Sequence, residues 1–315
     1  MEIITFSTHE KDGWQPPRVG ALLNDQYLLD FERAFPGPER PKDHLAWLNI
    51  DGPWFQLSRE TFEALTRDSS LVTQATEKGW LTKRSDAYWL APVPRPGKLI
   101  CIGLNYRDHA AESKMAIPER PVVFSKFATA VIAPGEPVVL PAASHQVDYE
   151  AELAVVIGRR AKGIGANQAL NYVLGYTVFN DVTARDFQFA DGQWQRGKSC
   201  DTFAPMGPKI VTADVVSDPH KLAIKLVLNG KIMQDSNTDQ LIFGVPELIE
   251  FLCQTITLEP GDVIATGTPA GVGFARKPPV FLQPGDVMEV DIENVGKLNN
   301  PVVAAEEGAV RFAGV

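Results

Sequence analysis

The chain has 315 residues, 44% of them hydrophobic and 22% charged, the balance of a globular protein able to bury a large core. A net charge of −9 without any basic run argues against nucleic-acid binding, and no apolar stretch reaches the length of a membrane span. Cys101, Cys200 and Cys253 lie far apart with no Cys-x-x-Cys, which predicts reduced thiols and argues against a disulfide framework or a zinc site.

The first residues, Met1 to Phe6, lack the basic-then-apolar pattern of a secretion signal, so the expected location is cytoplasmic. Residues 1–90 read as a small α+β domain. Ile3 to Phe6 and Val19 to Asp30 have strand character, with a turn at Leu23 to Asp25. Ser58 is placed to cap a helix carrying Phe62 and Leu65 on one face. Trp14, Trp47, Trp54 and Trp80 have no partnering polar cluster and read as core or interface filler. Pro92, Pro94 and Pro96 then alternate, making residues 91–97 a stiff extended linker. Residues 98–315 form the second expected unit and hold every cluster with chemistry in it.

Leu99 to Gly103 is a strand candidate followed by Asn105, a good N-cap, with Asp108 positioned for a capping box. A helical turn there makes His109 and Glu112 neighbours at i, i+3. A carboxylate beside an imidazole fixes its tautomer and suits it to activate water; the alternative is a solvated surface pair. Further on, Glu150 and Glu152 precede the apolar run Leu153 to Gly158, which reads as a buried strand. Residues two apart on a strand face the same way, so both acids, with Asp148 before them, project from one face. Acids on the solvent side of an edge strand are the plain alternative. A second apolar strand, Tyr172 to Phe179, ends in Asn180-Asp181 and supplies a third carboxylate. Three acids from two strands suit a hard cation, Mg²⁺, Mn²⁺ or Ca²⁺, in preference to zinc.

Arg185 offers a planar fork for a substrate carboxylate and Gln188 a two-way hydrogen-bonding group. Lys198 follows Gly197 on what reads as a glycine loop, where its ammonium can neutralise an enolate or oxyanion. Taken one at a time, Arg185 and Lys198 read more readily as ordinary surface charges. Asn229-Gly230 predicts a two-residue hairpin, and the two Pro-Gly-Asp segments at 260–262 and 284–286 predict reverse turns into strands. A helix is expected near Val245 to Leu252. The loop Thr266 to Gly273 lacks the Gly-Lys-Ser/Thr ending of a phosphate loop; its amides and hydroxyls are expected to hold a carboxylate or carbonyl oxygen.

Taken together, Gly103-Leu104-Asn105-Tyr106 with His109, Glu150-x-Glu152-Leu153, Asn180 to Asp186, Gly197-Lys198, Asp201 to Pro208 and Thr266 to Pro269 resemble the fumarylacetoacetate hydrolase family. The likeness runs from about residue 97 onward, and the smaller domain that precedes it resembles that of the longer, type 2 domain-containing proteins of that family. The resemblance implies an α+β, β-rich fold, a mixed β-sandwich roll beside the smaller N-terminal domain, and a homodimer using Mg²⁺ or Mn²⁺. It implies metal ligands at Glu150, Glu152 and Asp181, a water-activating pair at His109 and Glu112, a lysine near the metal at Lys198, and substrate contacts at Arg185, Gln188 and Thr268. The expected activity is hydrolysis of a carbon–carbon bond in a β-diketo acid such as an acylpyruvate, with the departing enolate stabilised by the metal and Lys198. The same site also fits an oxaloacetate tautomerase, an oxaloacetate decarboxylase or a hydroxydienoate isomerase; a non-catalytic metal-binding module is the remaining alternative.

Overall fold

The computed structural model describes residues 1–305; the expected C-terminal unit therefore extends, at 306–315, outside the described residues. Its N-terminal part supplies β1 (Glu2–Glu10), β2 (Arg18–Leu22), β3 (Tyr27–Asp30), helices α1 (Pro53–Arg67) and α2 (Ser69–Glu77), and β4 (Leu81–Lys83). Then come β5 (Leu99–Gly103), α3 (Arg107–Glu112), β6 (Val122–Ser125), β7 (Val138–Leu140), β8 (Ala151–Ile157) and β9 (Val173–Asn180). Two short helices, α4 (Arg185–Ala190) and α5 (Gln195–Lys198), lead into β10 (Ala204–Thr212). The remainder is β11 (Ala223–Leu228), β12 (Lys231–Asn237), α6 (Val245–Cys253), β13 (Val263–Ala265), β14 (Val287–Ile292) and β15 (Gly296–Ala304).

The larger sheet runs β4-β3-β2-β1-β10-β9-β8-β13-β5-β6, and a second sheet runs β7-β15-β14-β11-β12. Both mix parallel and antiparallel pairs: β13 lies parallel to β5, and β7 parallel to β15, while their other neighbours are antiparallel. The N-terminal strands belong to the same large sheet, because Ile3 of β1 pairs with Ile210 of β10. Residues 91–97 follow with Ala91 and Val93 buried, and the Thr5 hydroxyl donates to the Pro92 carbonyl at 2.8 Å.

Strand β8 explains why its sequence is continuously apolar. Leu153, Val155 and Ile157 pack into a core shared with Ile224, Leu226 and Val290 of the second sheet. Ala154 and Val156 pack on the opposite side with Phe31, Trp47 and Phe55 of the N-terminal part. A strand covered on both faces has no solvent side to make polar. Among the tryptophans, Trp47 and Trp54 do lie in or against that core, whereas Trp14 is 58% exposed.

The hairpin at Asn229-Gly230 forms as its residues dictate, with both φ angles positive, +51° and +79°. Two capping expectations fail. Helix α1 begins at Pro53 with Gly52 in the cap position, because proline fits the first turn where no amide partner is needed; Ser58 sits buried in its interior. Helix α3 begins at Arg107, and Asn105 instead spends its amide group on the carbonyls of Phe243 (3.0 Å) and Thr266 (2.8 Å). Asn105 thereby ties the start of α3 to the loop after β13.

Candidate active site

Glu150 stands immediately before β8 and Glu152 is its second residue, so both continue the row of Ala154 and Val156. Ala151 pairs with Asn180, which brings the exit of β9 beside the entrance of β8. Asp181 therefore emerges next to Glu150, and its amide donates to the Glu150 carbonyl at 2.9 Å. One carboxylate oxygen from each of Glu150, Glu152 and Asp181 lies within 4.8 Å of the others, and all three side chains are buried. An all-oxygen donor set at that spacing fits a hard divalent cation, so the trio can hold a metal ion.

Three buried carboxylates repel unless cations stand among them. Lys198 donates from Nζ to Glu150 Oε2 and to Asp181 Oδ2, each at 2.8 Å. Lys126 donates to Asp181 Oδ1 at 2.5 Å and to the Val182 carbonyl at 2.9 Å. Arg185 Nη2 lies 2.6 Å from Glu150 Oε1. Burial works to raise the Glu150 carboxyl, but Lys198 and Arg185 outweigh it and hold the group at about 2. Glu152 behaves oppositely. Burial, then the charges of Asp181 and Glu150, push its carboxyl well above the usual range, and the Gly267 amide at 2.8 Å offsets this only in part.

Local sequence explains how these cations are placed. Lys198 closes the short helix α5, a correction to the glycine loop expected there. Gly197 is needed because a Cβ on it would lie 2.7 Å from the Gln188 amide nitrogen and 2.8 Å from the Ala184 carbonyl. The turn can thus lie directly on the start of α4. Arg185, on α4, turns its guanidinium onto the protein's own groups: Nε donates to Asp148 Oδ2 at 3.0 Å and Nη1 to Gln188 Oε1 at 3.0 Å. Its guanidinium also stacks 4.3 Å above the Phe274 ring. Asp148 accepts the Gly273 and Phe274 amides at 2.7 and 3.0 Å, so it braces Arg185 and the C-terminal loop together.

His109 and Glu112 face one another on α3, with Nδ1 3.3 Å from Glu112 Oε2. The imidazole is buried. Burial raises the Glu112 carboxyl, but hydrogen bonds from His109 and the Gly271 amide carry it below its ordinary value. The amides of the glycine-rich loop hold carboxylate oxygens, and those oxygens belong to acids of the protein itself. Gly267 donates to Glu152, Ala270 to Asp108 at 3.4 Å, and Gly271 to both oxygens of Glu112 at 3.0 and 3.1 Å. The loop therefore positions the site's own carboxylates. Thr268 accepts from Gln234 Nε2 at 2.8 Å, and Gln234 in turn accepts the Ala151 amide at 2.9 Å, which joins the loop to the start of β8.

The structure thus gathers Glu150, Glu152, Asp181, Lys198, Arg185 and Gln188 into one network; Thr268 lies on the loop that borders it, and the His109–Glu112 pair lies on α3, held to that loop by the Gly271 amide. Sequence reasoning missed Lys126 and Gln234. Lys126 leaves β6 as Asp181 leaves β9, and the strand-exit argument used for the acid would have found the lysine as well. Gln234 sits mid-strand in β12 with no motif to mark it.

A carboxylate trio that can hold a metal ion, backed by lysines, thus stands at the strand ends of a mixed β-sandwich. The family model described as fumarylacetoacetate (FAA) hydrolase C-terminal matches residues 98–303, and the chain belongs to the fumarylacetoacetate hydrolase family. It is 48% identical over 305 residues to the protein named oxaloacetate tautomerase fahd2, mitochondrial, of Xenopus laevis, covering 96% of this chain and 90% of the relative. With the human protein named oxaloacetate tautomerase FAHD2A, mitochondrial, it shares 50% identity over 222 residues, 70% of this chain and 71% of that one. Among solved structures it is similar to the fumarylacetoacetate hydrolase of Exiguobacterium antarcticum, with a TM-score of 0.75, 34% identity, and coverage of 96% of this chain and 99% of that one. A 5-carboxymethyl-2-hydroxymuconate delta-isomerase from Mycobacterium smegmatis gives a TM-score of 0.71 at 34% identity, covering 96% of this chain and 100% of that one. Among the described residues, no helix is long and apolar enough to cross a membrane.

Proposed function

We propose that this protein interconverts the keto and enol forms of oxaloacetate or a closely similar 2-oxo acid, with Mg²⁺ or Mn²⁺ held by Glu150, Glu152 and Asp181. The observation that carries this reading is the junction of an acid trio with Lys198, whose ammonium lies 2.8 Å from two of the three carboxylates. That junction is built to stabilise negative charge on a carbonyl-derived oxygen. Likeness along nearly the whole chain to a relative named for this reaction supports this substrate class. When bound, the ion supplies Lewis-acid stabilisation of that oxygen.

The chain's own groups do the rest. Glu112 engages His109 at Nδ1 and leaves Nε2 as the position that takes a proton. In the keto-to-enol direction, the imidazole removes a proton from the carbon beside the ketone. The C–H electron pair becomes the carbon–carbon double bond, and the carbonyl pair moves onto oxygen. Lys198 stands beside that charge until the imidazolium returns its proton to the oxygen, directly or through solvent, which leaves the enol and a neutral His109. No water is consumed and no carbon–carbon bond breaks.

Hydrolytic cleavage of a β-diketo acid is the second reading, and the His109–Glu112 pair is the observation that favours it, since the same base can deprotonate water. The two are separated by offering metal-loaded protein enol-oxaloacetate and acetylpyruvate in parallel and following ultraviolet absorbance. Accelerated ketonisation of the first with the second intact supports the tautomerase. Release of acetate and pyruvate from acetylpyruvate, without effect on the enol, overturns it in favour of the hydrolase.

A further inference from the structure

Arg276 lies outside every motif discussed above, yet its side chain closes a chain of contacts that ends on His109. Its Nε donates to the Gly271 carbonyl at 3.2 Å, and its terminal nitrogen donates to the Met233 carbonyl on β12. The Tyr149 hydroxyl, from the segment just before Glu150, donates to the same Gly271 carbonyl at 3.3 Å. On the other side of that residue, the Gly271 amide donates to both oxygens of Glu112, and Glu112 faces His109 Nδ1. Gly271 has φ +104°, and a Cβ there would lie 2.1 Å from the Met233 carbonyl. Its backbone therefore lies pressed against β12 in a conformation that other residues avoid.

We infer that Arg276 is a positioning residue for the proton-transfer step: it clamps Gly271 to β12 so that the Gly271 amide holds Glu112, and Glu112 holds the imidazole. Two carbonyls on separate segments, Gly271 in the loop and Met233 in the strand, are bridged by one planar guanidinium, a task its fixed fork performs and a single ammonium does not. Glu112 is 24% exposed, so without the clamp it has room to turn towards water. The loss would fall on the orientation of His109 while the acid trio keeps its own partners. This inference rests on His109 as the proton-accepting base of the proposed reaction.

The test compares Arg276→Met, Arg276→Lys, His109→Ala and the double variant Arg276→Met/His109→Ala on whichever of the two 2-oxo acids the protein turns over. Loss of a supporting partner of this kind predicts that Arg276→Met lowers kcat about tenfold or more with KM changed by less than about twofold. Arg276→Lys, whose ammonium can hold one of the two carbonyls but not bridge both, should recover only a small part of the rate, and hydrogen exchange at the Gly271 amide should quicken in Arg276→Met. The double variant should be no slower than His109→Ala, because both changes remove one function. Normal kcat in Arg276→Met beside an inactive His109→Ala overturns the inference and leaves the base assignment standing. Multiplying losses in the double variant, or a fall in thermal stability alone with kcat intact, overturn it too. Full activity in His109→Ala overturns the base assignment, and the inference with it.

Discussion

Lys126 and Asp181 form an ion pair in which neither side chain is exposed at all, at 2.5 Å between Nζ and Oδ1. Lys126 comes from the end of the edge strand β6, and Asp181 from the middle of the same sheet. Breaking a buried pair by removing one partner strands the other charge away from water. Lys198 still holds the second oxygen of Asp181, so we expect Lys126→Met to cost about 3 kcal/mol, the low end for such pairs. Denaturant unfolding of the metal-free protein measures this. A midpoint indistinguishable from the unmodified chain would mean that the pair stores no stability.

The acid trio and the imidazole have separable tasks. His109→Ala should lower turnover about 10²–10⁴-fold, the usual contribution of a positioned base, while calorimetric affinity for Mg²⁺ or Mn²⁺ stays near normal. Glu150→Gln should lose the ion and the activity together, and a chelator should reproduce that loss in the unmodified protein. Retained metal affinity in Glu150→Gln would remove Glu150 from the ligand set.

Acid sensitivity should report on Glu112. Burial opposes its ionisation, but His109 and the Gly271 amide bring its carboxyl below the ordinary value, so in the unfolded chain it binds a proton more readily. Stability therefore rises with pH across the interval between the two values. The contribution is complete above the unfolded carboxylate pKa of about 4.3 and is lost as pH falls through the lower, folded value. Unfolding midpoints of the native chain and Glu112→Gln should differ most near neutrality and converge in acid. A constant gap down to the acid limit would show that the ionisation of Glu112 is unlinked to folding.

The acids were legible in the sequence because strand periodicity is local: Glu150 and Glu152 share a face whatever the rest of the chain does, and Asp181 ends an apolar run that needs no partner to be noticed. The hairpin at Asn229 was legible for the same reason. The connections between distant segments were not. Asn105 looks like a helix cap until Phe243 and Thr266, far along the chain, come within reach of its amide. The glycine loop looks like a cradle for a ligand until Glu112 and Glu152 are found on its amides. Propensity and spacing describe what a residue can do alone, whereas these roles depend on which segments the sheet brings together.

Gly197 offers the sharpest test of how Lys198 is aimed. The obstruction to a side chain there is backbone, the Gln188 nitrogen and the Ala184 carbonyl, and backbone in a packed helix cannot swing aside as a flexible side chain does. Gly197→Ala must push α5 away from α4, which draws Lys198 Nζ off Glu150 and Asp181. Overpacking of this kind costs about 1–3 kcal/mol, and the displaced ammonium should cost turnover beyond what the stability loss explains. Lys198→Met supplies the reference, removing the charge without touching the backbone. If Gly197→Ala folds with native stability and full turnover, the close approach of the two helices has no part in placing the lysine.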